Sequence, residues 1–246
     1  MRLWAASVDW QTEVPFSDKL FKQVTDPYRR LRNTLRILLG NISGFDAASQ
    51  SVAKEDMTLL DRWVLERLNG VVAECSKAYD AYQFRKVFNE INQFCAHELS
   101  ALYIDITKDR MYCDDLSSQR RLAAQTVMHR VFDAVCRLMA PILAFTADEA
   151  WSFLHSGESF SANPLLLQSW PQVESSWVDT GYVKDAEIIL KFKETHINEA
   201  LEKLRTEKKI GQSLDAEVEI KFPANDSTAE VLSRCSQELA EFFIVS

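Results

Sequence analysis

Tyr28-Arg-Arg-Leu-Arg-Asn-Thr-Leu-Arg-Ile-Leu-Leu-Gly-Asn41 is the stretch from which the fold can be read. At 100° per residue, Tyr28, Leu31, Leu35, Leu38 and Ile42 fall on one stripe, the period of a helix with one face turned to a core. Arg29, Arg32, Asn33 and Arg36 share a neighbouring stripe. With Arg30 this places four arginines within eight residues, and no acid interrupts them. A solvated helix normally mixes both signs, because like charges at i,i+4 cost a few tenths of a kcal/mol each. Two readings fit. An anionic partner such as a phosphate backbone would offset the repulsion through charge-assisted, often bidentate contacts. Alternatively the arginines form a solvated face paired with acids of a neighbouring helix.

Upstream, residues 1–16 read as a lead-in segment, and Ser17-Asp18 as an N-cap with an acidic first turn. The helical pattern runs from there to about Ser43-Gly44, with Pro27 as a kink or break. Downstream, apolar periodicity predicts a second helix over Leu59–Ala81, carrying Leu60, Trp63, Val64, Leu68, Val71 and Cys75 inward. A third runs from Tyr82 to Lys108 and a fourth from Ser118 to Met139, before a new segment at Pro141. Glu98 and Asp105 land on the core stripe of the third helix, so each is expected to meet an arginine or lie at an edge, since a bare buried carboxylate is very costly.

The connection His155–Tyr182 lacks a period and is the best boundary between domains. Beyond it, Val183 to about Lys209 is helical with Gly211 as its C-cap. Ala216-Glu-Val-Glu-Ile-Lys-Phe222 alternates as a strand does, and Asp226 starts another helix. One strand makes no sheet. The fold expected is mainly α: an antiparallel helical bundle over 17–180, then the truncated start of a small α/β domain over 181–246.

Composition narrows the chemistry. With six glycines and six prolines in 246 residues, long helices are favoured over many short strands. The net charge of −8 argues against a non-specific nucleic-acid coat, so any nucleic acid must be held by a local basic patch. Five widely spaced cysteines, with no C-x-x-C pair, suit a reduced protein using thiols as small hydrophobes, and give no expectation of a metal site. No apolar run is long enough for a bilayer, and nothing marks export.

No Gly-rich phosphate loop, nucleophile elbow or H-E-x-x-H occurs. His97, His129, His155 and His196 each have a bland explanation, His129 as a surface pair with Asp133. A second basic feature is Lys108-Asp-Arg-Met-Tyr112. Its cations cap a helix C-terminus, or Lys108 and Arg110 contact a backbone while Tyr112 stacks on an unpaired base. Arg205-Thr-Glu-Lys-Lys209 is a third charge run.

Several segments, in order along nearly the whole chain, resemble the isoleucyl-tRNA synthetases in their bacterial form: Arg2-Leu-Trp-Ala-Ala-Ser-Val-Asp9, Tyr28 to Arg36 with Leu-Leu-Gly-Asn41, and Leu60-Asp-Arg-Trp63. Tyr103-Ile-Asp-Ile-Thr-Lys-Asp-Arg110, Ala140 to Trp151 and Lys208-Lys-Ile-Gly-Gln-Ser-Leu214 belong to the same series. The resemblance implies the helical anticodon-binding domain of a class I enzyme that joins isoleucine to its tRNA with ATP and magnesium. The family's two nucleotide-binding signatures, its editing domain and its zinc-binding cysteines have no counterpart here. The expectation is therefore a cytoplasmic, monomeric piece that binds the anticodon stem-loop of an isoleucine-accepting tRNA, is inactive alone, and engages neither DNA nor membrane. Arg29, Arg32 and Arg36 would hold phosphates, Asn33 would read a base edge, and Lys108, Arg110 and Tyr112 would add contacts. The rival from another class is a helical protein-interaction module with no RNA role.

Overall fold

Thr58 starts the central helix, α5 (Leu59–Asp80): its hydroxyl accepts from the Asp61 amide while the Asp61 carboxylate accepts from the Thr58 amide, a capping box. The computed structural model describes residues 1–14, 16–155, 163–178, 180–222 and 227–245. Before α5 come α1 (Arg2–Ser7), α2 (Asp18–Lys22), α3 (Thr25–Asn41) and α4 (Ala47–Gln50). After it, α6 (Phe84–Gln93) passes through a π-helical segment, Phe94–Tyr103, into α7 (Ile104–Tyr112). Then follow α8 (Gln119–Met139), α9 (Ala144–Leu154), α10 (Thr180–Phe192), a second π turn at Lys193–Ile197, α11 (Asn198–Thr206), α12 (Ser227–Arg234) and α13 (Ser236–Phe243).

The bundle closes where the apolar stripes meet. α5 packs on α6 and α8, and α3 lies across α8, α9 and the π segment. Leu31, Leu35 and Leu38 of α3, with Ile42 just beyond it, are buried together with Val64 and Leu68 of α5 and Val127, Val131 and Val135 of α8. Ser17 caps α2 through Leu20 N, as expected. Pro27 does not kink α3. It falls in that helix's first turn, where its missing N–H has no intrahelical partner to lose. Gly44 closes the turn after α3 at φ 78°, a left-handed conformation that glycine adopts without penalty.

The third helix departs from its expected register. Over Phe84–Cys95 the buried positions are those of the apolar stripe, but within and beyond the π segment the buried face carries Leu99, Tyr103, Ile106 and Arg110. A π turn inserts one extra residue, so every later side chain rotates on by one position. Asp105 is thereby exposed and pairs with Lys108 at 3.3 Å instead of an arginine. Glu98 does meet one, accepting from Arg67 Nε and Nη2 at 2.9 Å each.

Among the described residues no strand is found. Ala216–Phe222 is irregular backbone, although Ala216, Val218, Ile220 and Phe222 turn inward while Glu217, Glu219 and Lys221 are exposed. The alternation is real, but without a partner strand it makes no ladder. Gly211 is not the cap of α11. Lys208 takes the left-handed position at φ 56°, with Lys209 N donating to Leu204 O at 2.9 Å in a Schellman turn. Asp226 lies outside the described residues.

The lead-in segment, residues 163–178 and the C-terminal helices all contact the bundle helices. Arg2 donates to the carbonyls of Ile142 and Pro141, tying α1 to the start of α9. Within 163–178, Trp170 Nε1 donates to Ser76 Oγ at 2.8 Å, and Asn69 exchanges hydrogen bonds with the Glu174 backbone. α10 packs on α5, burying Ala186 and Ile189, and α13 reaches α7.

Candidate nucleic-acid interface

α3 and α9 lie side by side in the same direction, since Tyr28 Oη meets Thr146 Oγ1 at 3.2 Å and Arg32 faces Glu149 one turn further along both helices. With the leucines of α3 in the core, the 3.6-residue period turns Arg29, Arg32, Asn33 and Arg36 outward, and all four are exposed. Their ion pairs are loose. Arg29 stands 3.7 Å from Asp26 and Arg32 stands 3.7 Å from Glu149, while Arg36 has no carboxylate within ion-pair distance among the described residues. Neither Glu98 nor Asp105 reaches this face, because each is paired elsewhere. A groove of about 600 Å³ runs between the two helices, with Arg32, Arg36, Phe45, Glu149 and Phe153 on its walls.

α9 adds what periodicity did not single out. Phe145, Glu149 and Phe153 recur every fourth residue and form its solvent-facing stripe, with Phe145 89% and Phe153 64% exposed. An aromatic ring left in water beside loosely paired guanidinium groups, as Phe153 is beside Arg32 and Arg36, suits stacking on an unpaired base.

The second basic feature divides. Tyr112 is 75% exposed at the C-terminal end of α3, its hydroxyl 3.5 Å from Asn41 Oδ1. Lys108 is half-buried and paired with Asp105. Arg110, expected as a backbone contact, is instead 1% exposed. It donates to Asp61 at 2.9 Å, to Thr58 Oγ1 at 3.0 Å and to both oxygens of Glu241. The π segment contributes to this, since its extra residue advances the later side chains and Arg110 joins Tyr103 and Ile106 on the buried face. Burial opposes the charge on Arg110, but the adjoining Asp61 and Glu241 carboxylates outweigh it and hold the guanidinium protonated. Tyr103, buried and donating to Asp61 Oδ1 at 2.6 Å, is pushed well above the usual phenol range by burial and by that carboxylate.

The histidines and cysteines offer no reactive constellation. His129 is not a surface residue: it is half-buried against the Phe45 ring, 6.1 Å away, and burial lowers its pKa. Burial pushes the Cys75 and Cys95 thiols up to about 12, away from nucleophilic use. Among the described residues no group of three or more His, Cys, Asp or Glu side chains could hold a metal ion, and no helix is long and apolar enough to cross a membrane.

Comparison with known proteins gives a family and a set of relatives. The family described as anticodon-binding domain of tRNA ligase matches residues 61–220. The isoleucine–tRNA ligase of Syntrophotalea carbinolica is 38% identical over 246 residues, all of this chain and 26% of the relative. Those of Thermotoga petrophila and Moorella thermoacetica are each 39% identical over the same span, again 26% of their length. The chain thus corresponds to about a quarter of the curated relatives it matches.

Proposed function

Because the chain belongs to the anticodon-binding domain family of tRNA ligases, we propose that its α3–α9 face holds the anticodon stem-loop of an isoleucine-accepting tRNA. The observation that carries this reading is the outward row of Arg29, Arg32 and Arg36, loosely paired or unpaired, on a chain whose net charge is −8. A protein that repels phosphate overall needs such a row to bind RNA at all. The arginines take phosphates, Asn33 and the exposed rings meet bases, and Tyr112 extends the surface past the end of α3. Lys108 contributes only if it exchanges Asp105 for a phosphate.

In the longer protein, this surface would serve a cytoplasmic, ATP- and magnesium-dependent ligation of isoleucine to tRNA. The residues of this chain supply binding and positioning, and those cofactors belong with catalytic parts outside it. The piece acts as a monomer, without DNA or membrane. Binding of an isoleucine-type anticodon stem-loop, beside one with a changed anticodon, tests the reading. The expected result is tighter binding of the first, with log affinity falling steeply and linearly with log salt. Equal affinity for both at every salt concentration would reduce the face to non-specific attraction. Absence of RNA binding would return the bundle to the protein-interaction class.

A further inference from the structure

Glu149 is out of place on a surface built to attract phosphate. It sits at the centre of the α9 stripe, between Phe145 and Phe153, and shares a groove with Arg32 and Arg36. At 3.7 Å from Arg32, with side chains 49% and 56% exposed, the ion pair is too long for a direct hydrogen bond and too wet to count for much in stability. A carboxylate there weakens the pull on any passing phosphate. Its place is better explained by something it accepts hydrogen bonds from.

A carboxylate is acceptor-only and offers two oxygens side by side. Of the four bases, guanine alone presents two adjacent donors on its Watson–Crick edge, N1–H and the N2 amino group, pointing the same way. Adenine and cytosine set an acceptor nitrogen next to their amino group, and uracil sets a carbonyl on each side of its N3–H. Each of these would turn a lone pair toward one Glu149 oxygen.

We infer that the α3–α9 groove takes one unpaired guanine nucleotide of the RNA loop, its base lying on the Phe153 ring, its N1–H and N2 amino group donating to Glu149, and its phosphate on Arg36. The groove, about 600 Å³, lies within the size range of pockets that bind small ligands. This rests on the RNA-binding reading above and adds to it a specificity-determining residue and the base it selects.

The test measures binding of hairpin RNAs carrying a single guanine at each loop position in turn, with inosine and adenine counterparts, to the full chain and to Glu149→Gln and Phe153→Ala. Inosine lacks only the N2 amino group. One loop position is expected where guanine binds about tenfold tighter than inosine, the loss of one charge-assisted hydrogen bond. Adenine should bind more weakly still. Glu149→Gln erases that preference, since its amide turns a donor toward the base. Phe153→Ala weakens all three about tenfold and leaves the ratios unchanged. If guanine and inosine bind alike at every position, or if Glu149→Gln discriminates as well as the parent, the guanine site is overturned while RNA binding stands. If no hairpin binds in a salt-dependent way, the RNA reading itself falls and takes the guanine site with it. Both side chains face solvent, so unchanged thermal melting of the variants is expected to show that they fold.

Discussion

Arg110 Nη1 donates to Asp61 Oδ2 at 2.9 Å with both side chains sealed from water, and this pair holds three parts of the chain together. Asp61 belongs to the capping box of α5, Arg110 to the last turns of α7, and Glu241, the other partner of Arg110, to α13. Glu238, one turn before Glu241, accepts from Leu59 N at 2.9 Å and so fills a free donor at the start of α5. The same arginine that looked like a phosphate contact is a structural cross-link.

Arg110→Met therefore leaves the buried Asp61 carboxylate without its cation, while Glu241 keeps Arg120 at 3.4 Å, and is expected to cost about 3–5 kcal/mol in urea unfolding. Adding Asp61→Asn neutralises the orphaned charge while keeping an oxygen that can accept from the Thr58 amide or the Tyr103 hydroxyl, and recovers part of that loss. A double variant no more stable than Arg110→Met would show that the network does more than neutralise itself.

Arg36→Gln gives the opposite result. Its guanidinium has no carboxylate partner among the described residues, so unfolding by urea should be unchanged within about 0.5 kcal/mol. The slope of log affinity for a stem-loop RNA against log salt should shrink by about 1, one phosphate contact. An unchanged slope would remove Arg36 from the interface.

What the sequence made legible, and what it hid, follows from where the period holds. In α3 the 3.6-residue repeat is unbroken, so the inward leucines and outward arginines were both readable from spacing alone. In the third helix the repeat holds only as far as Cys95. The π segment leaves no mark in composition: Glu98 meets the arginine expected of it, but Asp105 is exposed and Arg110, expected as a backbone contact, is buried. Ala216–Phe222 shows another limit: alternation reports which side chains turn in, but a ladder needs a second strand. Phe145 and Phe153 were missed because an exposed ring is visible only once the buried face of its helix is known.

His129 supplies a pH dependence with a definite sign. Burial lowers its pKa below the ordinary 6.5, only partly opposed by Asp133, with Arg130 and His155 pushing the same way as burial. The unfolded chain thus binds the proton more readily than the folded one just below pH 6.5. The stability His129 contributes is complete above that value and is lost as pH falls through its lower folded pKa. His129→Phe keeps a ring against Phe45 and removes the proton. The difference in stability between variant and parent should grow in the variant's favour from about pH 7 to about pH 5, by chemical denaturation across that range. A constant difference would mean that His129 does not titrate as its burial implies.

Lys193 carries the same logic at alkaline pH. It begins the π turn after α10, and burial brings its pKa from 10.5 to about 8, with Asp105 opposing and Lys108 adding to the fall. Between those two values the unfolded chain holds the proton and the folded chain sheds it, so stability rises with pH across the window and the deficit is complete below it. At neutral pH the folded protein therefore carries a partly desolvated ammonium with little return. Lys193→Met keeps the length of the buried stem and drops the charge. It should raise stability at about pH 7 by roughly 1–2 kcal/mol, a gain that shrinks toward about pH 10 as the parent lysine sheds its proton in the folded state. Parallel stability curves for parent and variant over that range would show instead that the ammonium stays hydrated and that the π turn leaves it room to reach water.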